Sequence, residues 1–308
     1  MKIRFLLTSL SLAFLFSHFN VYAQVQTPRY VSMNANTNAY YEYLPQGYDP
    51  SGSDRYPLLL FLHGMGELGT GTASSLPAVL RNGPPKLISQ GKFPASFTVG
   101  GRSFRFIVIS PQFIKWPKYN EIDAVVDYIE AHYKVDPTRV YVTGLSMGGG
   151  ATWEYGGYSS DPKYVQRVAA IAPVCGASSP STYRSRMIAK YNLPVWAFHN
   201  DDDPTVPVSY TNDYIAYINQ PPAPNPPARK TIFHASGHDA WSKAYDPAYK
   251  EEGKNVYEWM LQYSRPGMAE APLPVVLSDY KINRTDDEKV LISWTTSFEQ
   301  NNAYFTIE

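Results

Sequence analysis

Residues 144–148 read Gly-Leu-Ser-Met-Gly and could place a serine nucleophile on a sharp turn. A β-branched apolar run at residues 140–143 precedes them, and a helix-like segment follows from Ala151. Strand, tight turn and helix are the context in which a Gly-x-Ser-x-Gly pattern forms a nucleophile elbow. Glycines on either side of Ser146 remove the Cβ atoms that would collide with the neighbouring backbone. The pattern therefore predicts Ser146 as a nucleophile, and a glycine-rich turn with an inert serine is the alternative.

A serine nucleophile needs a base, and three histidines follow the serine in the chain, as this class of hydrolase requires. His199 and His234 lie within or at the end of predicted strands, where a structural role is the usual one. His238 lies in a polar loop after the last predicted strand of the sheet. Because loops at the carboxyl ends of strands carry the chemistry in open α/β sheets, we predict His238 as the base.

The acid that orients the histidine should follow a strand between the serine and the histidine. Residues 193–198 form such a predicted strand, and Asp201, Asp202 and Asp203 come shortly after it. Three adjacent carboxylates cannot all be buried and charged, so one should face the histidine and the others solvent. A solvated acidic turn and a weak calcium loop are the alternatives, and the irregular ligand spacing argues against calcium.

Predicted strands alternate with predicted helices along most of the chain. Residues 57–62 and 104–110 are apolar runs, as expected of strands that are covered on both faces. Residues 119–135 show helical spacing, with Asn120 as the expected cap and Asp136-Pro137 as the expected stop. The alternation predicts the α/β class with a doubly wound, mostly parallel sheet. The other predicted elements are strands at 39–43, 168–174, 193–198 and 230–235, helices at 208–218 and 255–263, and a mixed segment at 75–90 that is broken at Gly83-Pro84-Pro85.

The composition and the N-terminus limit the class of protein. The 308 residues carry 27 Lys plus Arg and 27 Asp plus Glu, which gives no electrostatic reason to expect a nucleic-acid partner. Residues 1–23 combine a basic start with a short apolar stretch and end at Ala23, so we predict a cleaved signal peptide and a secreted protein, periplasmic or extracellular. No other stretch is long and apolar enough to predict a membrane span. The single cysteine, Cys175, lies in an apolar run and is predicted to be a buried, inert thiol.

The chain is expected to divide near its C-terminus. Residues 24–270 should form the catalytic domain, whereas residues 271–308 are β-like and show no helix. Runs at 273–277 and 289–294 predict strands there. A β-sandwich needs roughly 100 residues, so the segment is either a packed tail or the start of a truncated fibronectin-like module.

Six motifs carry a resemblance to a known family: His63-Gly-Met-Gly-Glu67, Gly83-Pro-Pro-Lys-Leu-Ile88, Ser110-Pro-Gln112, Gly144-Leu-Ser-Met-Gly-Gly149, His199-x-x-x-Asp203-x-x-Val-Pro207 and Gly237-His-Asp-Ala-Trp241. Over residues 39–264 the sequence resembles the secreted esterase and predicted-peptidase group of the α/β-hydrolase superfamily. The resemblance implies Ser146 as nucleophile, Asp203 as acid and His238 as base, since the Asp-x-x-Val-Pro spacing fits only Asp203. Asn200 departs from the group, which usually has glycine at that position.

The same motifs indicate where an oxyanion and a substrate would lie. The backbone N–H groups of Met147, directly after the nucleophile, and of Met65, in the loop after the predicted strand at residues 57–62, are the predicted oxyanion-hole donors. Gln112, Trp116 and Trp241 lie in neighbouring loops and are predicted substrate contacts, with core packing as the alternative for Trp241. No metal or organic cofactor is predicted.

Together these residues predict acyl transfer, in which a carboxylic ester is hydrolysed through an acyl-enzyme. The connection at residues 176–192 is short and polar and would make a poor lid over an oily cleft, which favours short-chain or aromatic esters. Such esters could be small molecules or groups that decorate a polysaccharide. A single-domain serine peptidase of the prolyl-oligopeptidase type is the first alternative, and a secreted, non-catalytic binding protein on a hydrolase fold is the second.

Overall fold

The computed structural model describes residues 25–265, 276–284 and 290–298. Within them the main sheet has eight strands, and a separate two-stranded ribbon is formed by β4 and β5. In chain order these strands are β1 (Gln26–Arg29), β2 (Thr37–Tyr43), β3 (Tyr56–Leu62), β4 (Phe97–Val99), β5 (Arg102–Phe104), β6 (Ile107–Phe113), β7 (Val135–Leu145), β8 (Ala170–Val174), β9 (Trp196–Asp202) and β10 (Arg229–Ser236).

Across the main sheet the strand order is β1-β2-β6-β3-β7-β8-β9-β10. Six neighbouring strands, β6, β3, β7, β8, β9 and β10, run parallel to one another. At the other edge β2 pairs with β6 in antiparallel fashion, and β1 pairs with β2 in the same way. The predicted α/β class with a mostly parallel sheet is therefore confirmed. Parallel strands end at the same edge, so the loops after β7, β9 and β10 come close together.

Helices cover both faces of this sheet, which is why its central strands are continuous apolar runs. Every residue of β3 is buried, and its side chains alternate between two cores: Leu58 and Leu60 pack into one, Leu59 and Phe61 into the other. The first core includes residues of α2 to α6 and the second includes residues of α1, α7 and α8. The helices are α1 (Gly83–Ser89), α2 (Tyr119–His132), α3 (Met147–Gly156), α4 (Lys163–Arg167), α5 (Thr182–Lys190), α6 (Val208–Ile218), α7 (Trp241–Ala244) and α8 (Val256–Met260).

The start of one helix differs from the prediction. Helix α2 is capped at Lys118, whose backbone N–H donates to the Glu121 carboxylate at 2.8 Å, and Asn120 lies inside the helix. The segment at 75–90 is interrupted at the predicted place: a 3₁₀ helix, Leu76–Arg81, ends just before Gly83, and residues 83–85 begin α1. Proline suits that position because the first turn leaves its N–H groups without helical acceptors.

The Asp136-Pro137 pair does not end helix α2, as the sequence predicts. Helix α2 ends at His132, and the pair lies within β7. Proline is tolerated there because β7 pairs with β3 at Val135 and resumes regular pairing only at Val140. The intervening stretch is held locally, with the Asp136 carboxylate accepting the Thr138 N–H at 2.9 Å.

The C-terminal region contributes two further strands, β11 (Val276–Arg284) and β12 (Val290–Phe298), which pair in antiparallel fashion. They overlap the two predicted β-like runs. The predicted signal peptide at residues 1–23 lies outside the described residues, and the division between residues 24–270 and 271–308 stays a prediction. Among the helices of the described segments, none has both the length and the hydropathy that crossing a bilayer requires.

Candidate active site

Ser146 occupies the sharp turn between β7 and α3, with a φ of 52° and a ψ of −116°. A Cβ on Gly148 would lie 1.9 Å from the carbonyl oxygen of Leu62, and a Cβ on Gly144 would lie 2.5 Å from the Gly148 carbonyl. The two glycines are therefore required by close approach of the backbone. A positive φ at serine costs free energy. The turn is stabilised by a hydrogen bond in which the Ser146 N–H donates to the Val174 carbonyl at 2.9 Å.

Three side chains from three strand ends form one chain of hydrogen bonds. Ser146 Oγ lies 2.9 Å from His238 Nε2, and His238 Nδ1 lies 2.7 Å from Asp203 Oδ2. An ionised carboxylate only accepts, so Nδ1 carries the proton and Nε2 accepts from the serine hydroxyl. The structure thus brings together the three residues that the sequence singled out as nucleophile, base and acid.

The Asp203 carboxylate is held from both oxygens. Its Oδ1 accepts the backbone N–H groups of Thr205 at 2.8 Å and Val206 at 3.0 Å, while Oδ2 faces His238. The side chain is fully buried, and burial by itself opposes ionisation. The hydrogen bonds from His238 and from the two backbone N–H groups outweigh it and hold the pKa of Asp203 below its usual range. The carboxylate therefore stays charged where it can orient the histidine.

The two preceding aspartates point elsewhere. Asp201 lies 2.5 Å from His234 Nδ1, and the His234 side chain is fully exposed. That bond lowers the pKa of Asp201. Asp202 is exposed. Of the three candidates that the sequence left open before the family resemblance, only Asp203 contacts His238.

His199 lies directly behind the Asp203 carboxylate. Its Nε2 is 3.0 Å from the Val206 carbonyl oxygen and 3.2 Å from Asp203 Oδ2. Both neighbours are acceptors, so Nε2 carries the proton and Nδ1 accepts from the Thr211 hydroxyl at 2.8 Å. Burial lowers the pKa of His199, which keeps the ring neutral. His199 therefore has the structural role expected of it, and its N–H also helps to hold the carboxylate that contacts His238.

Cys175 completes a buried cluster with His199 and Asp203, whose possible ligand atoms all lie within 4.8 Å of one another. These are metal-binding residue types, but their atoms are already committed to hydrogen bonds. The thiol donates to the His238 carbonyl at 3.2 Å, and burial raises the pKa of the thiol to about 12. In this arrangement the three side chains form a hydrogen-bonded support beneath the site.

Asn200 is a support that the sequence analysis did not assign. It is buried, and its side-chain amide donates to the carbonyl of Gly237 at 2.8 Å. Gly237 directly precedes His238 and has a φ of 96°, so this bond fixes the turn that presents the histidine. The sequence offered one indication of a special role at this position, because asparagine stands where the related group usually has glycine.

His63 anchors the loop that follows β3. Its Nε2 accepts the Phe113 N–H at 2.9 Å, which leaves Nδ1 as the donor to the Gly64 carbonyl at 2.7 Å. Burial lowers the pKa of His63 to about 4. The neutral ring thus ties the loop to the end of the neighbouring strand β6.

This loop and the start of α3 supply the two predicted oxyanion donors. A Cβ on Gly64 would lie 3.6 Å from Ser146 Cβ, so the loop passes directly beside the serine. Met65 begins a 3₁₀ turn after Gly64 and its side chain is exposed, whereas Met147 is the first residue of α3. Backbone N–H groups in the first turn of a helix have no acceptor within that helix. Both donors therefore remain candidates for an oxyanion hole.

Gln112 requires a correction. Its side chain is fully buried, its Nε2 donates to the carbonyls of Glu67 at 3.0 Å and Ser75 at 2.8 Å, and its Oε1 accepts from the Gly71 N–H at 3.0 Å. An amide that is committed in this way cannot contact a substrate. The predicted contact is wrong for this residue, which instead fixes the loop after β3.

The two tryptophans predicted as substrate contacts are both half-buried. Trp116 donates its indole N–H to Glu154 at 3.2 Å. Trp241 donates to Asn82 at 3.2 Å, and its ring centroid is 5.1 Å from that of His238 at an interplanar angle of 89°. Trp241 therefore borders the histidine, and it also packs against one of the cores. A substrate contact stays a prediction for both residues.

The depressed pKa of His63 predicts a stability that depends on pH. The pKa is about 4 in the folded protein and 6.5 without perturbation, so the unfolded chain binds the proton more readily. Stability from neutral His63 is therefore present above pH 6.5 and lost as the pH falls toward 4, by on the order of 3 kcal/mol. We expect the difference in unfolding free energy between the wild type and His63→Gln, measured in urea, to shrink by that amount. A difference that stays constant from pH 7 to pH 4 would contradict a buried, neutral His63.

Comparison with known proteins places the fold in a family. The esterase family model matches residues 31–258 of this chain. A solved structure of a thermostable esterase is 22% identical with a TM-score of 0.52, over 79% of this chain and 64% of that chain. A structure described as FAE is 18% identical with a TM-score of 0.51, over 70% of this chain and 82% of that chain. A search of curated proteins finds no match.

Similarity of this degree shows a shared fold and confirms the predicted α/β-hydrolase architecture. The match to the thermostable esterase covers less than two thirds of that protein. A structure assigned as a dipeptidyl aminopeptidase IV from Bacteroides ovatus is more distant, with 12% identity and a TM-score of 0.50 over 72% of this chain and 34% of that chain.

Proposed function

Because the chain belongs to the esterase family, we propose that it hydrolyses carboxylic esters and that Ser146, His238 and Asp203 are its catalytic residues. The observation that carries the proposal is the hydrogen-bond chain, with distances of 2.7 Å from Asp203 to His238 and 2.9 Å from His238 to Ser146. Nucleophile, base and orienting acid are the set that acyl transfer through an acyl-enzyme requires.

In the proposed reaction His238 Nε2 takes the hydroxyl proton as Ser146 Oγ attacks the ester carbonyl carbon. The tetrahedral intermediate collapses, the C–O bond to the alcohol breaks, and the alcohol leaves with the proton from Nε2. A water molecule then gives a proton to Nε2 and attacks the acyl carbon. As the second tetrahedral intermediate collapses, the bond between that carbon and Ser146 Oγ breaks, the acid leaves, and Nε2 returns the proton to Oγ. Asp203 stabilises the imidazolium that forms in each half-reaction.

The developing negative charge needs donors that are fixed before the reaction begins. We propose the N–H of Met147, where the partial positive charge at the start of α3 adds to the hydrogen bond, and the N–H of Met65. The bonds of His63 and Gln112 to the loop after β3 support this assignment, because they restrict the position of the second donor.

We propose short-chain or aromatic esters as substrates. Ser146 is partly exposed and 18% of the His238 side-chain surface is accessible, so water reaches the site. The connection between β8 and β9 contains one helix, α5, whose sequence Thr-Tyr-Arg-Ser-Arg-Met-Ile-Ala-Lys is largely polar. A long acyl chain gains about 0.8 kcal/mol per methylene only where a dry pocket receives it. The predicted signal peptide at residues 1–23 supports a secreted protein, for which esters on a polysaccharide are accessible.

The test of this proposal is a substrate series. We expect kcat/KM on p-nitrophenyl esters to be highest at about two to four carbons, since longer chains gain little by burial, with no activation above the critical micelle concentration. An aminoacyl p-nitroanilide should be cleaved far more slowly than the short esters. A preference for palmitate with interfacial activation would indicate a lipase, and faster cleavage of the anilide would indicate a peptidase. Absence of turnover on every substrate would favour a non-catalytic binding protein.

A further inference from the structure

A groove with a volume of about 500 Å³ adjoins Trp241, the residue whose ring stands 5.1 Å from that of His238. Its walls come from α1 and α7 and from the loops that follow these helices. Ser146, Asp203 and His238 do not line the groove, so it is separate from the reacting atoms although one side chain borders both.

The proposed reaction indicates whether the alcohol part or the acyl part of an ester lies nearer to this groove. The alcohol oxygen must receive a proton from His238 Nε2 and therefore lies within hydrogen-bond distance of it. The carbonyl oxygen lies instead at the start of α3, next to Met147. Trp241 borders His238 and also lines the groove, so a bulky alcohol whose oxygen is bonded to Nε2 can reach the groove along this side chain.

The charges of the groove favour one class of alcohol. Lys86, which is half-buried, and Lys92, which is exposed, both line it, and neither has a carboxylate oxygen within 4.0 Å in the described part of the chain. The single carboxylate in the lining is that of Asp246, which is exposed and accepts the Ala248 N–H at 2.9 Å. A second carboxylate lies next to the groove: Asp239, which is exposed, accepts the Ser242 N–H at 2.8 Å and the Ser242 hydroxyl at 2.7 Å. Both aspartates thus accept local hydrogen bonds, whereas the two lysines have no carboxylate partner within that distance.

We propose that this groove binds the alcohol half of the ester and that the alcohol bears a carboxylate, as an acidic sugar does. Trp241 offers an aromatic surface against which a sugar ring can pack, and Gln90 offers hydrogen bonds to its hydroxyl groups. Lys86 and Lys92 supply the charge that pairs with the carboxylate. The inference rests on the proposed esterase function and adds the alcohol to it.

A matched pair of substrates isolates the charge. An acetylated methyl glucuronoside and a methyl glucoside that is acetylated on the same hydroxyl differ only in the carboxylate at C6. We expect the wild type to favour the anionic ester in kcat/KM by roughly fivefold, the size of one exposed ion pair, mainly through KM. The double variant Lys86→Gln/Lys92→Gln should bring the ratio close to one. Lys190→Gln is the matched control, because Lys190 is exposed and lines other surface grooves on α5.

Each outcome bears on the groove. A wild-type ratio of one or below, or a preference that survives in the double variant, overturns the proposal. Cleavage of p-nitrophenyl acetate without cleavage of either glycoside also overturns it. If p-nitrophenyl acetate is not cleaved, the esterase function itself fails. In that case calorimetry of the two deacetylated glycosides with the wild type and the double variant tests ligand binding in the groove without catalysis. We expect the wild type to bind the glucuronoside more tightly than the glucoside, and the double variant to lose this difference.

Discussion

Replacing Ser146 with alanine is expected to lower kcat on a short-chain ester by on the order of 10⁴-fold or more. The substitution removes the atom that would form the acyl-enzyme and the hydrogen bond 2.9 Å from His238 Nε2. The turn is held by its backbone, through the Ser146 N–H and the Val174 carbonyl, and by the two flanking glycines, so the fold should not change. Steady-state kinetics and urea unfolding of the same samples measure both effects.

The matched control for this variant is Ser178→Ala. Ser178 is buried near α3, and its hydroxyl lies 2.9 Å from Glu154 and 3.3 Å from the Tyr214 hydroxyl, so it bonds to none of the three proposed catalytic residues. We expect it to lose stability, by about 1 kcal/mol, and to retain activity. An active and well-folded Ser146→Ala protein would contradict the proposed mechanism.

Asp203→Asn should be nearly as damaging, with a loss in kcat on the order of 10⁴-fold. In the wild type the N–H groups of Thr205 and Val206 donate to Asp203 Oδ1, and in the variant they should donate to the single side-chain oxygen of asparagine. Its NH₂ group therefore takes the place of Oδ2 and faces His238 Nδ1 as a donor. The ring must then accept at Nδ1 and carry its proton on Nε2, where it can no longer take the proton of Ser146.

The neighbouring aspartates provide the controls. Asp201→Asn removes a bond to the exposed His234, and Asp202→Asn alters an exposed side chain, so each should change kcat/KM by less than about threefold. Kinetics of the three variants on one short-chain ester make the comparison. Loss of activity in Asp201→Asn or Asp202→Asn, with Asp203→Asn active, would show that the orienting acid is assigned to the wrong residue.

The central features of the fold could be predicted from sequence because they depend on strong local patterns. The apolar run of β3 is buried at every position, as a strand between two layers of helices must be. Pro137 was misplaced for a physical reason: a proline usually ends a helix, but an irregular pairing between β7 and β3 accommodates it within a strand. That irregularity depends on a tertiary contact, which no local pattern contains.

The same distinction applies to the candidate site. Ser146 and His238 could be predicted because their motifs specify a turn and a strand end, whereas the strand end alone left three aspartates open and the family resemblance selected Asp203. The contact of His199 with Asp203 depends on how two side chains meet in space, and its sequence position indicated only a structural histidine. Gln112 was misassigned for the converse reason, since its place in a motif did not reveal that its amide is buried and fully bonded.

The most direct test of the central claim, that Ser146 is the nucleophile of an ester hydrolase, is covalent labelling of the full chain with a fluorophosphonate. Mass spectrometry of the digested protein should find one adduct, on Ser146, and the labelled fraction should match the fraction of lost activity on a p-nitrophenyl ester. Ser146→Ala and the unfolded wild type should remain unlabelled. An adduct on another residue, or full ester hydrolysis by protein labelled completely at Ser146, would contradict the account.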